Sequence, residues 1–353
     1  MFSTVLTSQI PNYAISINNA PMLKLAEDVE SITVTEDLEA PSMIAMTLNT
    51  YDEINDKLNW VDDSRLSPGN EIAISLGYGN TLETVIVGEI TGLEPEFSQE
   101  QGSTVTVRGH DRRHRLLRGT HTNTFIKLKD SQIAQQIASQ NGLLAKVTDT
   151  KVSLDYVLQN NVSDLAFLQT RSQRIGYEVW IEDKTLHFQP PQYRTLALTT
   201  LEFEQDVLEF SPRLSLLSQV TQVEVRGWNW KTKQAIVSQS GDNSIASMGG
   251  SQIGVRASQR AFGAANRQIG DQPVQSKAEA DAMAQGQLEE RALHYITGEG
   301  TCMGNPKIRA GSVIEVKGVG KRFSGRYYVV AVTHTMSGEA GYRTEFTVRR
   351  TAA

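Results

Sequence analysis

The strand rhythm of roughly the first hundred residues restricts this chain more than any other feature. Tyr13-Ala14-Ile15-Ser16-Ile17, Ser31-Ile32-Thr33-Val34-Thr35, Ile44-Ala45-Met46-Thr47-Leu48, Glu71-Ile72-Ala73-Ile74-Ser75-Leu76, Thr84-Val85-Ile86-Val87 and Thr104-Val105-Thr106-Val107 alternate apolar with polar residues or are rich in β-branched ones. A period of two puts one face of a segment into a core and the other into solvent, which an extended chain can do and a helix cannot. Turn residues separate the segments, among them Ser67-Pro68-Gly69-Asn70 and Gly77-Tyr78-Gly79-Asn80. Many short strands joined by turns point to an antiparallel barrel or sandwich.

The pattern changes after Thr120. Asp130 or Ser131 can cap a helix with Ile133, Ala134, Ile137 and Ala138 on one face, stopped by Asn141-Gly142. Ser163 caps a second helix, which stops at Ile175-Gly176, and a hairpin follows through Tyr177–Ile181 and Thr185–Phe188 to Pro190-Pro191. This is a small α+β unit. Strands resume at Val220–Val225 and break at Gly227. From Ser238 to Gln275 the chain is rich in Gly, Ser, Ala and Gln with isolated apolar residues, the composition of a long excursion that is mobile or ordered by a partner. Ser276 and Glu279 then form a capping box for a helix through Leu293, and three more strands follow, at Ser312–Val316, Tyr327–Val332 and Thr344–Val348.

Two of these regions resemble each other. Gly69 to Leu93 can be laid ungapped on Gly311 to Thr335, which matches Gly69 with Gly311, Ile72 with Ile314, Val87 with Val329 and Thr91 with Thr333. Each copy then runs through a polar turn into a last strand. A chain with two similar β modules can form a ring in which three copies present six nearly equivalent units, so a trimer can meet a six-fold partner within closed symmetry.

Composition removes other classes. At 353 residues the chain is long enough for two or three domains, and no apolar run approaches the roughly 18 to 20 residues of a membrane span. Met1–Leu6 carries no basic stretch followed by an apolar one, so secretion by a signal peptide is not expected. One cysteine, Cys302, excludes an internal disulfide framework and a cysteine-based zinc site within one chain. A net charge of −6 is not that of a polycation that coats DNA.

Catalytic signatures are scarce. There is no His-Glu-x-x-His, Gly-x-Ser-x-Gly, Walker loop or dinucleotide fingerprint. His110 and His114 have metal-ligand spacing but no evident third ligand. Asp62-Asp63, Glu94 with Glu96, and Glu289-Glu290 are acidic pairs of the kind solvated faces carry, and Cys302 with His294 or His334 reads as a half-buried thiol. Asn161-Val162-Ser163 is a sequon whose serine already serves as a helix cap. No catalytic, cofactor or metal residue is therefore assigned. The densest charge lies in Arg108–Arg118, which lacks the interleaved aromatics of a nucleic-acid site. Arg112, Arg113 and Arg115 are expected to form ion pairs across a protein interface, the alternative being a solvated loop.

Several stretches, in order, resemble the phage late control protein D family, the baseplate hub of contractile tails and the hub part of VgrG-type spike proteins. They are Gly88–Pro95, Val107–Gly119, Asn161–Leu168 with Ile175-Gly176-Tyr177, Gly304–Gly311, Phe323–Val329, His334 and Gly341–Thr344. The resemblance implies a mainly β fold with α+β insertions, in which two related tube-type antiparallel β-barrels form a pseudo-six-fold ring in a homotrimer. The expected division is residues 1–118 as the first barrel, 119–195 as the α+β domain, 196–237 with 298–353 as the second barrel, and 238–297 as a mobile excursion and capped helix inserted in it. The implied role is a non-enzymatic symmetry adaptor that joins a trimeric spike to a hexameric inner tube and nucleates the tube. Its partners would be a spike protein, the inner tube protein, baseplate wedge or adaptor proteins, and cargo, without specific nucleic acid or stable membrane insertion. The chain would be made in the cytoplasm and assembled into a phage tail or tail-like injection particle. The chain stops at Ala353 without an oligonucleotide-fold domain or needle, so the spike is expected to be another protein. The alternative is a β-rich cell-wall hydrolase or carbohydrate-binding module carried by such a particle.

Overall fold

The alternating segments form strands, and their pairing places everything else. A computed structural model describes residues 10–52, 57–98, 102–242 and 245–353; Met1–Leu6 lies outside them. The first half runs β1 (Pro11–Ile17), β2 (Val29–Asp37), β3 (Met43–Asn49), β4 (Glu71–Tyr78), β5 (Thr81–Ser98) and β6 (Gly102–His110). These pair antiparallel in the order β1-β4-β5-β6-β3-β2. The period-two pattern explains the result: Ile32 and Val34 of β2 are fully buried with Ile44, Met46, Ile72, Ile74, Val105 and Val107, whereas Thr33 and Thr35 turn to the other face.

The chain then leaves the sheet for a small α+β unit with β7 (His121–Leu128), α1 (Asp130–Gln140), β8 (Leu144–Val147), β9 (Leu154–Val162), α2 (Asp164–Arg174), β10 (Glu178–Glu182) and β11 (Thr185–Gln189). It has its own core around Phe125, Ile133, Leu168 and Phe188. Ser163 caps α2 by accepting the Ala166 N–H. The expected cap of α1 is corrected: Lys129 stands at that position, and the Asp130 carboxylate instead receives Arg171 of α2 at 2.6 Å, in a two-bond charge-assisted pair.

The second half contains β12 (Thr199–Glu202), β13 (Val207–Leu214), β14 (Gln222–Asn229), β15 (Gln234–Gly241), α3 (Gly254–Phe262), β16 (Asn266–Ile269), α4 (Lys277–Leu293), β17 (Ile296–Met303), β18 (Val313–Lys317), β19 (Gly325–Ser337) and β20 (Gly341–Arg350). Among the described residues, much of the stretch expected as a mobile excursion forms regular elements, the end of β15, α3 and β16. β14, β15 and β16 form a separate sheet, and α4 packs on it. The stretch's Ile269 and Val274 share one core with Val223, Val225, Ile236, Met283 and Leu288, and its Met248, Ile253 and Val255 are buried in two smaller clusters, so a low apolar content suffices. β14 therefore belongs to this insertion rather than to the second β module. It also continues through Gly227, whose missing side chain makes room for Val274.

The repeat survives in register, with a correction. In the first half Glu89 lies opposite His110 and Ile90 opposite Gly109, and the ladder is then bulged at Thr91 before Gly92 meets Arg108. In the second half Tyr328 lies opposite Arg349 and Val329 opposite Val348, and the ladder is bulged at Val330 before Ala331 meets Thr347. A second bulge recurs too, between Val29 and Ser31 on β2 and between Val207 and Glu209 on β13. The strand order β4-β5-β6-β3-β2 thus matches β18-β19-β20-β17-β13. The ungapped alignment holds for β4 and β18 but fails beyond them, because the second hairpin is three residues shorter: Glu71 faces Glu89, while Val313 faces Tyr328. Val329 therefore corresponds to Ile90 and not to Val87.

One junction joins the halves into a thirteen-stranded sheet. β19 pairs with β18 up to its bulge; beyond it, Ala331–Ser337 runs antiparallel to Ser31–Asp37 of β2. Met336 and Tyr342, next to the turn that follows, are buried in the core of the first half.

The insertion meets the α+β unit at two glycines. A Cβ on Gly286 of α4 would lie 2.3 Å from the Ile175 carbonyl carbon, and one on Gly176 would lie 2.5 Å from the Gly286 Cα. Alanine normally stabilises a helix interior by about 1 kcal/mol relative to glycine. Gly286→Ala should instead destabilise this chain by about 1–2 kcal/mol, as overpacking does. Urea denaturation of the variant checks the sign, with Gly338→Ala, which has open space around it, as the neutral control.

Candidate assembly interface

The basic segment is the first candidate, and the chain uses it internally. Arg112 is 4% exposed and reaches three acids: Glu71, Glu89 at 3.3 Å and Asp183 at 2.7 Å. It ties the first β module to the β10–β11 turn. Arg113 is 2% exposed; its Nε donates to Asp111 at 2.9 Å and its Nη2 to Ser42 Oγ at 3.0 Å. Asp111 also accepts the Ser42 N–H at 2.8 Å, so the two side chains pin the β2–β3 connection. Arg115 grips Glu89 with two bonds, at 2.6 and 2.7 Å, from a half-exposed position. Lys184 and Arg112 hold the Glu71 carboxyl below its usual range. Arg112 and Arg113, expected to form ion pairs across a protein interface, are buried against acids of their own chain. Sequence could not show this because Glu71, Glu89 and Asp183 lie far away along it.

The remaining polar candidates are likewise engaged. His110 bonds Thr91 and His114 bonds the Asp111 carbonyl, and among the described residues no group of three or more His, Cys, Asp or Glu could hold a metal. Cys302 is fully buried, which pushes its thiol up to about 12 and denies it a nucleophilic thiolate. His294 pairs with Glu290, while His334 contacts the Ile308 carbonyl at 3.1 Å and Thr344 at 3.0 Å. A cleft of about 620 Å³ between the α+β unit and the second module is lined by Glu39, Glu178, Glu289 and Glu290. Each of these acids has a partner: Arg349, the Tyr328 hydroxyl, Arg194 and His294 respectively. Burial holds Glu178 up at about 7, against the pull of the Tyr328 hydroxyl.

The open edges of the large sheet are the feature sequence reading passed over. Two of them are β13, which ends the strand order, and the later part of β5, Gly92–Phe97, beyond the end of β4. Among the described residues no strand pairs with either edge. Both carry a proline on the outward side. The Ser215 N–H donates to Tyr295, so Arg213 and Ser211 face β17 and Pro212 faces out. The Thr50 N–H donates to Ser103, which by alternation turns Glu94 and Glu96 toward β6 and Pro95 outward. Proline on an edge strand is the local signal that could have found them.

Comparison with known proteins follows this geometry. Residues 7–338 match the family model described as the Alg8 N-terminal domain, not the late control protein D family expected from the sequence. No curated protein sequence matches the chain. Among solved structures, the 43 kDa tail protein of prophage MuSo2 from Shewanella oneidensis is similar with a TM-score of 0.70 and 13% identity, over 96% of this chain and 98% of that one. The tail protein from Neisseria meningitidis MC58 gives 0.69 and 12%, over 96% of each chain. The E. coli c3393 protein, described as a component of the type VI secretion system, gives 0.64 and 14%, over 96% of this chain and 77% of that one. At these identities the likeness is one of fold: the chain has the mainly β architecture of phage tail proteins. No described helix is long and apolar enough to cross a membrane.

Two outcomes follow from the buried polar groups. Arg113→Met leaves the buried Asp111 carboxylate without its cation, held only by the Ser42 and Arg113 backbone N–H groups, so it should cost about 3–5 kcal/mol of stability, read as a lower urea midpoint. His334 is held neutral by burial, with its value pushed down to about 3 from 6.5. Its folded value lies below its unfolded one, so stability present above pH 6.5 is lost as pH falls toward 3. His334→Gln should flatten that decline when urea midpoints at pH 7 and pH 4 are compared.

Proposed function

We propose, from the premise that this chain belongs to the Alg8 N-terminal domain family, that it is a structural baseplate hub of a phage tail or tail-like injection particle. One observation carries the proposal: five strands in the same order, bulged at the same two places, occur twice in one chain. A chain that folds the same β module twice offers two nearly equivalent surfaces. Three copies offer six, and a homotrimer of this kind adapts a trimeric spike to a hexameric tube. The modules would act as tube-type barrels of a pseudo-six-fold ring, as the resemblance to late control protein D implies. The fold shared with tail proteins and with a type VI secretion component supports this reading.

On this reading the hub works by templating. One face of the ring receives the spike and the opposite face seeds the first ring of inner tube, with baseplate wedge or adaptor proteins outside and cargo carried by the particle. Seeding is driven by buried area, strand edges and matched symmetry, and requires no catalytic group. The α+β unit and the α4 insertion decorate the outside.

Deleting the gene in a producing cell should abolish tube and sheath polymerisation, not merely target killing. Electron microscopy of the lysate reads this directly, and tubes of normal length without the protein would refute the templating role.

A further inference from the structure

The junction between the two halves has no matching junction at the opposite ends of the sheet, and the repeat says which strands would make one. By register, β19 corresponds to β5 and β2 to β13. Within the chain, Ala331–Ser337 of β19 pairs with Ser31–Asp37 of β2. Their counterparts, Gly92–Phe97 of β5 and Phe210–Ser215 of β13, are open edges among the described residues. Beyond the end of β4 they bound the run β13-β17-β20-β19-β2-β3-β6-β5 on its two sides, so a second copy of the chain is the partner that can bring them together.

We infer that β5 of one copy pairs antiparallel with β13 of the next, in the register of the intrachain junction. Val332 opposite Glu36 then becomes Leu93 opposite Leu214, Thr333 opposite Thr35 becomes Glu94 opposite Arg213, and Met336 opposite Ile32 becomes Phe97 opposite Phe210. The chemistry of these positions fits. Met336 and Ile32 are buried together in the core of the first half, whereas Phe97, in the Met336 place, is 60% exposed. Phe210 and Leu214 pack only partly buried against the core of the second half, and Phe97 of a neighbour would cover that border. Glu94 and Arg213 bring opposite charges to the other face.

The prolines set the strength of the joint. The Leu38 N–H donates to the Val330 carbonyl, so by alternation His334 and Val34 form a hydrogen-bonded rung. Its counterpart is Pro95 opposite Pro212, which has no N–H on either side. The rungs at Leu93 and Phe97 flank this gap. The joint between copies is therefore weaker than the one within the chain, and the same prolines keep either edge from pairing with a foreign strand.

The inference rests on the ring proposed above but specifies its joint. Thr35 and Thr333 occupy a non-hydrogen-bonded rung, where Cα atoms lie about 4.5 Å apart, within the reach of a disulfide. The full chain carrying Glu94→Cys and Arg213→Cys together should form reducible covalent oligomers of finite size under mild oxidation; the native Cys302 is fully buried and does not interfere. Each single variant, and Glu94→Cys with Ser211→Cys one diagonal away, should not link. Glu94→Arg should weaken association by sedimentation, and Glu94→Arg with Arg213→Glu should restore it. Oligomers that form without a 94–213 link overturn this joint and leave the hub reading standing. A chain that stays monomeric and unlinked at its highest soluble concentration overturns the joint as well. Failure of the hub reading shows separately, as normal tubes without the gene.

Discussion

Seven antiparallel rungs between β19 and β2 hold the two halves of this chain in one sheet. The pairing depends on the bulge at Val330, where the ladder to β20 takes up an extra residue and β19 turns from one neighbour to another. Before the bulge β19 belongs to its own module; after it, Met336 and Tyr342 fill the core of the other. Glu36 is buried beside the same junction. Burial pushes its carboxyl up, while Arg309 of the second half, at 2.5 Å, and the Ala310 N–H, at 3.2 Å, pull it down. A carboxylate in that place would be costly without its partner, so the junction is specific as well as apolar.

The decorating units are attached by different means. The α+β unit has its own core and polar contacts fix it to the sheet, Arg112 to Asp183 and the Tyr328 hydroxyl to Glu178 at 2.6 Å, while Arg174 to Glu279 at 3.0 Å joins it to the α4 insertion, whose Leu293 also packs with Val313 and Tyr328 of the second module. Interfaces of this polar kind are usual between domains that fold separately. The strands of the repeat are tied instead by shared backbone ladders, which have no tolerance for a slip of one residue, because such a slip would turn Ile32 and Val34 out of the core.

Local signals were legible where they act locally. The hairpin of β10 and β11, the Ser163 cap of α2 and the Ser276 cap of α4 follow from residues within a few positions of one another. Half of the expected capping box failed, since Glu279 receives the Gln275 N–H and Arg174 instead of closing on Ser276. The repeat was visible, but its alignment carried a three-residue error, because an ungapped comparison cannot sense a shorter hairpin. The segment from Ser238 to Gln275 was misjudged for a related reason. Its composition counts apolar residues but does not show that Ile269 and Val274 converge with Val223, Val225 and Met283 in one core.

By itself the sequence determined that the chain would be mainly β, that a helical unit interrupts it, and that one module occurs twice, because periodicity, caps and turns are properties of neighbouring residues. Only the tertiary structure decided what the charged groups do and where the sheet ends. Arg112 and Arg113 look like surface charges along the chain, and they became buried ties once Glu71, Glu89 and the Ser42 turn folded around them. Pro95 and Pro212 gain their meaning only when pairing shows that each faces outward from an unpaired edge. Pairing across long stretches of chain is set by the joint fit of many strands, and no local pattern records it.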